Sequence, residues 1–309
     1  MDDFLLEMPK AELHLHLEGS AELETLRELE PTTPANLYAY TDFEGFLKAF
    51  GAVGKLLRTP ADYALITRRL LERLDAQNVR YAEIILAAGV VLWKGQEIAP
   101  IFDAVREAAV GSPVRVKWIF DAVRQFPVEQ AMQVAEWAAS RVEDGVVALG
   151  IGGSEERGPA EWFTDVFAFA RTAGLRLHAH AGEGTSAASV WAALELGAER
   201  IGHGISAIED PVLLRHLRDR DIPLEICITS NVATGVVKRI EDHPMRRLYD
   251  AGVPIVLNTD DPAMFGCTLV GEYRLAAERF GFSEAELRGI AENGFRYAFD
   301  SSASRRMPR

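Results

Sequence analysis

Cysteine is nearly missing from this chain: Cys227 and Cys267 are its only two among 309 residues, and they form no C-x-x-C pair. A disulfide framework or a thiolate metal site is therefore not expected. Long apolar runs are missing as well, and none approaches the ~18 residues that a spanning helix requires. The N-terminus, Met1-Asp2-Asp3-Phe4, is acidic and lacks the basic flank and apolar stretch of a signal peptide. Positive charge is scarce, with 33 Lys and Arg against 46 Asp and Glu and a formal net charge of −13. That balance disfavours nucleic acid and anionic membrane surfaces, which select cationic patches. No G-x-G-x-x-G follows the first strand-like segment, which removes the fingerprint of a doubly wound dinucleotide fold. The expectation left standing is a soluble cytoplasmic protein with a small-molecule partner; its oligomeric state is open.

What is present is a repeating order of elements. Eight short apolar segments read as strands: Lys10–Leu17, Val79–Leu86, Arg115–Asp121, Val146–Ile151, Leu175–His180, Arg200–His203, Pro223–Ile228 and Pro254–Asn258. Between them, Asp62–Gln77, Val128–Asp144, Pro159–Thr172, Ser186–Leu196 and Pro211–Asp219 carry apolar residues at three- and four-residue steps, the helical period. Pro60, Pro159 and Pro211 near helix starts, and Asp210 as a cap, mark the boundaries. Repeated β-then-α units call for a parallel sheet, and eight of them predict a closed (β/α)8 TIM barrel. Residues 18–60 read as a short helical insertion broken by Pro31 and Pro34, and residues 268–299 as one or two closing helices. The expected organisation is one domain over residues 1–299 and a disordered tail over 300–309.

Four islands carry the chemistry: His14-Leu15-His16, His180-Ala181-Gly182-Glu183, Gly202-His203-Gly204 and Thr259-Asp260-Asp261-Pro262. Each lies where a predicted strand ends, and barrel active sites are built from those ends. In a strand, His14 and His16 share a face while Leu13, Leu15 and Leu17 take the other. Three imidazoles and a carboxylate suit Zn2+ with a position left for water, so the expected ligands are His14, His16, His180 and Asp260, holding one ion per chain. His178 lies one layer deeper and reads as a hydrogen-bonded core residue. His216 and His243 read as surface residues, and Cys227 as a small core residue. A metal-activated water needs a guide and the reacting partner needs a proton. His203 is placed for the first role, Glu183 for the second, and Asp261 to face the substrate.

These islands, in this order and within Glu12-Leu13-His14-Leu15-His16-Leu17 and Asn258-Thr259-Asp260-Asp261-Pro262, resemble the adenosine deaminase family of zinc hydrolases. The resemblance runs from Pro9 to about Phe299. It implies water addition at C6 of an adenine ring, loss of ammonia and a 6-oxo purine product. It further implies that Glu183 protonates N1, that His203 orients the attacking oxygen and assists its deprotonation, that Asp261 hydrogen-bonds N7, and that the Gly153 amide meets N3. Glu18 stands where animal-type members carry an Asp that contacts the sugar, and the lid after the first strand is short. Both features look more like bacterial branches that act on adenine or on 6-aminodeoxyfutalosine, an adenine nucleoside of menaquinone biosynthesis with a bulky 5′ extension. Trp93 is a candidate to stack on that extension. The expected substrate order is aminodeoxyfutalosine, then adenosine, then adenine. The alternatives are a two-metal barrel amidohydrolase, for which no strand-end lysine is in place (Lys117 is mid-strand), and a catalytically silent nucleoside-binding relative.

Overall fold

The computed structural model describes residues 1–303. Its eight strands are β1 (Lys10–His16), β2 (Val79–Leu86), β3 (Arg115–Val123), β4 (Val146–Gly152), β5 (Arg176–Ala181), β6 (Arg200–His203), β7 (Leu224–Ile226) and β8 (Ile255–Leu257). They lie in sequential order, each parallel to the next. A parallel bridge between Leu15 and Asp260 closes the ring, with the His16 amide donating to the Asp260 carbonyl and the Asp260 amide to that of His14. The (β/α)8 barrel read from the sequence is the observed architecture. Among the described residues, no helix is long and apolar enough to cross a membrane.

One irregularity in β1 sets the site. Glu12 pairs with Ala82 and Leu15 with Ile84, so three steps along β1 match two along β2. The extra residue is a bulge, which changes the parity of the strand. Leu13 therefore does not face the helices with Leu15 and Leu17, as simple alternation predicts. It packs with Ala11, Tyr81, Val256 and Phe295 at the lower end of the barrel, while Leu15 and Leu17 join the main core. The bulged amides of Leu13 and His14 would lack ladder partners, and both donate to Asn258 Oδ1, at 2.7 and 3.1 Å.

The insertion after β1 forms helices Leu23–Leu29 and Phe43–Leu56, the second capped by Asp42 through the Gly45 amide at 2.7 Å. Helix Pro60–Ala76 opens with a capping box between Thr59 and Asp62, and Asp210 caps helix Pro211–Asp219 as expected. Two closing helices, Leu269–Phe280 and Glu284–Arg296, are separated at Gly281, which has φ +67°. Within the tail expected from residue 300, Asp300 and Ser302 both accept from Arg115, and Ala303 is buried. Its remainder, 304–309, lies outside the described residues.

Candidate active site

The strand ends bring His14, His16, His180, His203, Asp260 and Asp261 together, all buried. His14 Nε2 and His16 Nε2 each stand 3.3 Å from Asp260 Oδ1, and His16 Nε2 faces His180 Nε2 at 3.2 Å. Hydrogen bonds behind the rings fix the tautomers of two of them. His14 Nδ1 is 2.9 Å from Glu225 Oε2, and His180 Nδ1 is 3.1 Å from the Ile151 carbonyl. Each Nδ1 therefore carries a proton, and each Nε2 points inward as the atom that takes either a second proton or a metal cation. His14 Nε2 has no hydrogen-bond partner. Lone pairs and a carboxylate converging in a buried space repel one another unless a cation lies between them, so this donor set fits a divalent metal with N and O ligands. Ligand atoms of His14, His180, His203 and Asp260 lie within 4.8 Å of one another.

Charge in the cluster is polarised. Burial opposes ionisation of Asp260, but its contacts with His14 and His16 hold it well below the usual carboxylate range. Burial likewise opposes charge on His14, yet the Asp260 and Glu225 carboxylates push it up to about 10. A site that attracts a proton this strongly attracts a metal cation for the same reason.

Beneath the cluster lies a network that sequence reasoning missed. Glu225 of β7 bonds His14, His178 Nε2 at 2.7 Å and Arg200 Nε at 2.6 Å. Arg200 also meets Glu83 at 2.6 Å and lies 3.6 Å over the Phe299 ring. His178 is thus the core residue expected, and Glu225 is the carboxylate that orients His14. The available signal was a lone Glu inside Leu224-Glu225-Ile226, an acid in an apolar strand that must be paired.

Glu183 sits on a loop held by Glu155, another residue the sequence reading passed over. Its carboxylate accepts the amides of Gly182, Glu183 and Gly184 at 2.7, 3.0 and 3.1 Å, and the Thr185 hydroxyl at 2.8 Å. Burial, then the Asp260 charge, raise Glu183 well above an ordinary glutamate, which favours its protonated form. The same two causes, in the same order, raise Asp261, whose Oδ1 is buried without a partner. His203 Nε2 stands 3.6 Å from Glu183 and 3.9 Å from Asp260. Burial lowers His203 to about 3, leaving the ring neutral. His203 itself has φ +61° and Asp260 φ +65°, a strained backbone typical of functional positions.

The cavity above these residues is mostly apolar. Phe43, Phe46, Leu47 and Phe50 of the insertion line it with Val90, Trp93, Val123 and Phe126. Trp93 is half exposed and stacks on Phe126 at 5.6 Å. Gly153 lines the cavity with φ +91°, and a Cβ there would strike Gln125 Oε1 at 2.2 Å. Glu18 is not among the lining residues; it is fully buried and accepts from the Ala87 amide at 3.2 Å. Asp121 is a lining residue the sequence reading did not single out. Its Oδ1 has no partner, and burial pushes its carboxyl up to about 7. Gly150 and Gly152 make room for it, since a Cβ on either would lie within 2.8 Å of its oxygens. His216 is half-buried against Trp191, and Cys227 is core. His243 is not a surface residue: it is buried, because its ring bonds Asn231 at 3.2 Å and packs against the Phe280 ring.

Comparison with known proteins agrees with this geometry. The family model described as adenosine deaminase matches residues 9–307. An aminodeoxyfutalosine deaminase of Streptomyces avermitilis is 38% identical over 99% of this chain and 90% of its own length. An adenine deaminase of Rhizobium leguminosarum is 35% identical, covering 97% of this chain and 98% of that protein. A Burkholderia ambifaria amidohydrolase solved with bound Zn superposes with a TM-score of 0.91 at 28% identity, covering 98% of this chain and 90% of the other.

Proposed function

Because the chain belongs to the adenosine deaminase family of C–N hydrolases, we propose that it removes the 6-amino group of an adenine nucleoside, with 6-aminodeoxyfutalosine of menaquinone biosynthesis as the preferred substrate. One Zn2+ per chain, held by His14, His16, His180 and Asp260, would supply an activated water when bound. Glu183, whose burial favours the protonated form, is the donor to ring N1. Asp261, whose protonated form is favoured by the same causes, donates to N7, which satisfies an oxygen otherwise orphaned. The Gly153 amide serves N3, and Glu155 holds Glu183 in register by fixing its backbone.

The observation that carries the substrate choice is the wall beyond the purine. It is aromatic, and among the described residues no Lys or Arg lines the cavity. A nucleotide phosphate would lack a charge partner there, whereas an apolar 5′ extension has Phe43, Phe46, Phe50 and the Trp93–Phe126 pair to cover it. Asp121 and Gln125 are the polar side chains left for sugar hydroxyls. Free adenine would leave this wall unused; it stays the second reading because relatives named adenine deaminase are nearly as similar. Steady-state kcat/KM for aminodeoxyfutalosine, adenosine and adenine decides the order. We expect at least about 10-fold preference for aminodeoxyfutalosine, since an aromatic contact contributes on the order of 1 kcal/mol beyond its buried area. A preference for adenine would reverse the assignment.

A further inference from the structure

Behind His203 runs a chain of hydrogen bonds that starts at a proton whose position is not adjustable. The Met245 amide donates to His243 Nδ1 at 3.2 Å. A nitrogen that accepts from a backbone N–H carries no proton, so the neutral His243 ring bears its proton on Nε2. That nitrogen faces Asn231 Oδ1 at 3.2 Å and donates to it. The amide of Asn231 is thereby turned so that Nδ2 faces His203 Nδ1 at 3.1 Å. The opposite orientation would ask His243 to accept at both nitrogens, which a neutral imidazole does not do. Glu183 Oε1, 3.5 Å from Asn231 Nδ2, favours the same orientation. His203 Nδ1 is consequently an acceptor, and the ring proton lies on Nε2, the nitrogen directed at Glu183 and Asp260.

We infer that His243 and Asn231 are positioning residues that lock His203 in its Nε2–H tautomer, so that His203 acts on the attacking oxygen as a hydrogen-bond donor and not as its base. This rests on the deaminase reading for its consequence in turnover, but not for the tautomer itself. It retains the orienting half of the role expected for His203 and removes the deprotonating half. It also explains why a histidine far along the chain is buried beside the site with no contact to the cavity. The device is read outward from the backbone: the Met245 amide decides His243, His243 decides Asn231, and Asn231 decides His203.

The test is long-range proton–nitrogen NMR on the metal-loaded, 15N-histidine-labelled enzyme, with His203 signals assigned from His203→Gln. His203 is expected to show a protonated Nε2 and an unprotonated Nδ1, as is His243; a protonated Nδ1 on His203 would overturn the inference. Asn231→Asp replaces the donor by an acceptor and should move the His203 proton to Nδ1. With it, kcat should drop about 100-fold, the scale for losing one transition-state donor, while KM stays within about 2-fold and bound metal is unchanged. Unchanged kcat with a reversed tautomer would also sink the inference. Should Asn231→Asp not fold, His243→Phe serves: Asn231 is then free to rotate, and His203 should give both tautomers. A single unchanged tautomer there would count against the wiring. Should no adenine compound be turned over, the deaminase reading fails, and the tautomer of the wild type still decides the wiring.

Discussion

At the scale of single residues, the site separates groups that offer lone pairs from groups that hold protons. His14 and His180 donate from Nδ1 to Glu225 and to the Ile151 carbonyl and direct their Nε2 atoms inward. Glu183 and Asp261 are pushed toward their protonated forms by burial and by the Asp260 charge. Glu183→Gln should accordingly lower kcat by at least about 100-fold while metal content, measured by elemental analysis, stays at the wild-type level; near-normal turnover would dismiss the general-acid assignment. His14, His16, His180, Asp260, Glu183 and Asp261 were legible in the sequence because each lies at the end of a recognisable strand. Glu225 and Glu155 were not, because their importance lies in what they hold, and those partners are 211 and 28 residues away along the chain.

At the scale of elements, helix starts followed their local chemistry. Thr59 with Asp62, and Asp210 before Pro211, cap where the residue types require it, since capping is satisfied within four residues. The β1 bulge did not follow from local chemistry. Its H-x-H pattern reads as unbroken alternation, and only pairing with β2 reveals the extra residue. Asn258 of the loop after β8 is the group that makes the bulge tolerable. Asn258→Ala leaves the Leu13 and His14 amides buried without acceptors, a loss of about 1–3 kcal/mol for the first orphaned donor. Urea unfolding of the metal-free protein should show that loss, and zinc titration should show weaker binding because His14 is no longer held in place. Wild-type stability and affinity in the variant would mean that the bulge is not maintained by this side chain.

At the scale of the whole molecule, the proposed ligands come from β1, β5 and the loop after β8, so an ion at the cluster would tie together the first and last strands of the barrel. An ion that binds only the folded chain stabilises it by mass action, about 4 kcal/mol at a thousandfold excess over Kd. Removing the metal with a chelator should therefore lower Tm by several degrees, and adding back one equivalent of zinc should restore it. A Tm indifferent to chelation would argue against a metal shared across the closure. The network of Glu225, Arg200 and Glu83, with Phe299 beneath it, forms the floor of the cluster.

The sequence by itself determined the barrel, through eight β-then-α units, and the identity of the residues gathered at its mouth, through their place at strand ends. Both are properties of local pattern, set by periodicity and by which residue types bind metal. The tertiary structure alone decided the parity of Leu13, the burial of His243, the retreat of Glu18 from the cavity and the direction in which Asn231 points. Each of these depends on a hydrogen-bond partner brought near by the packing of the folded barrel, and the residue pattern alone does not say which partner that will be.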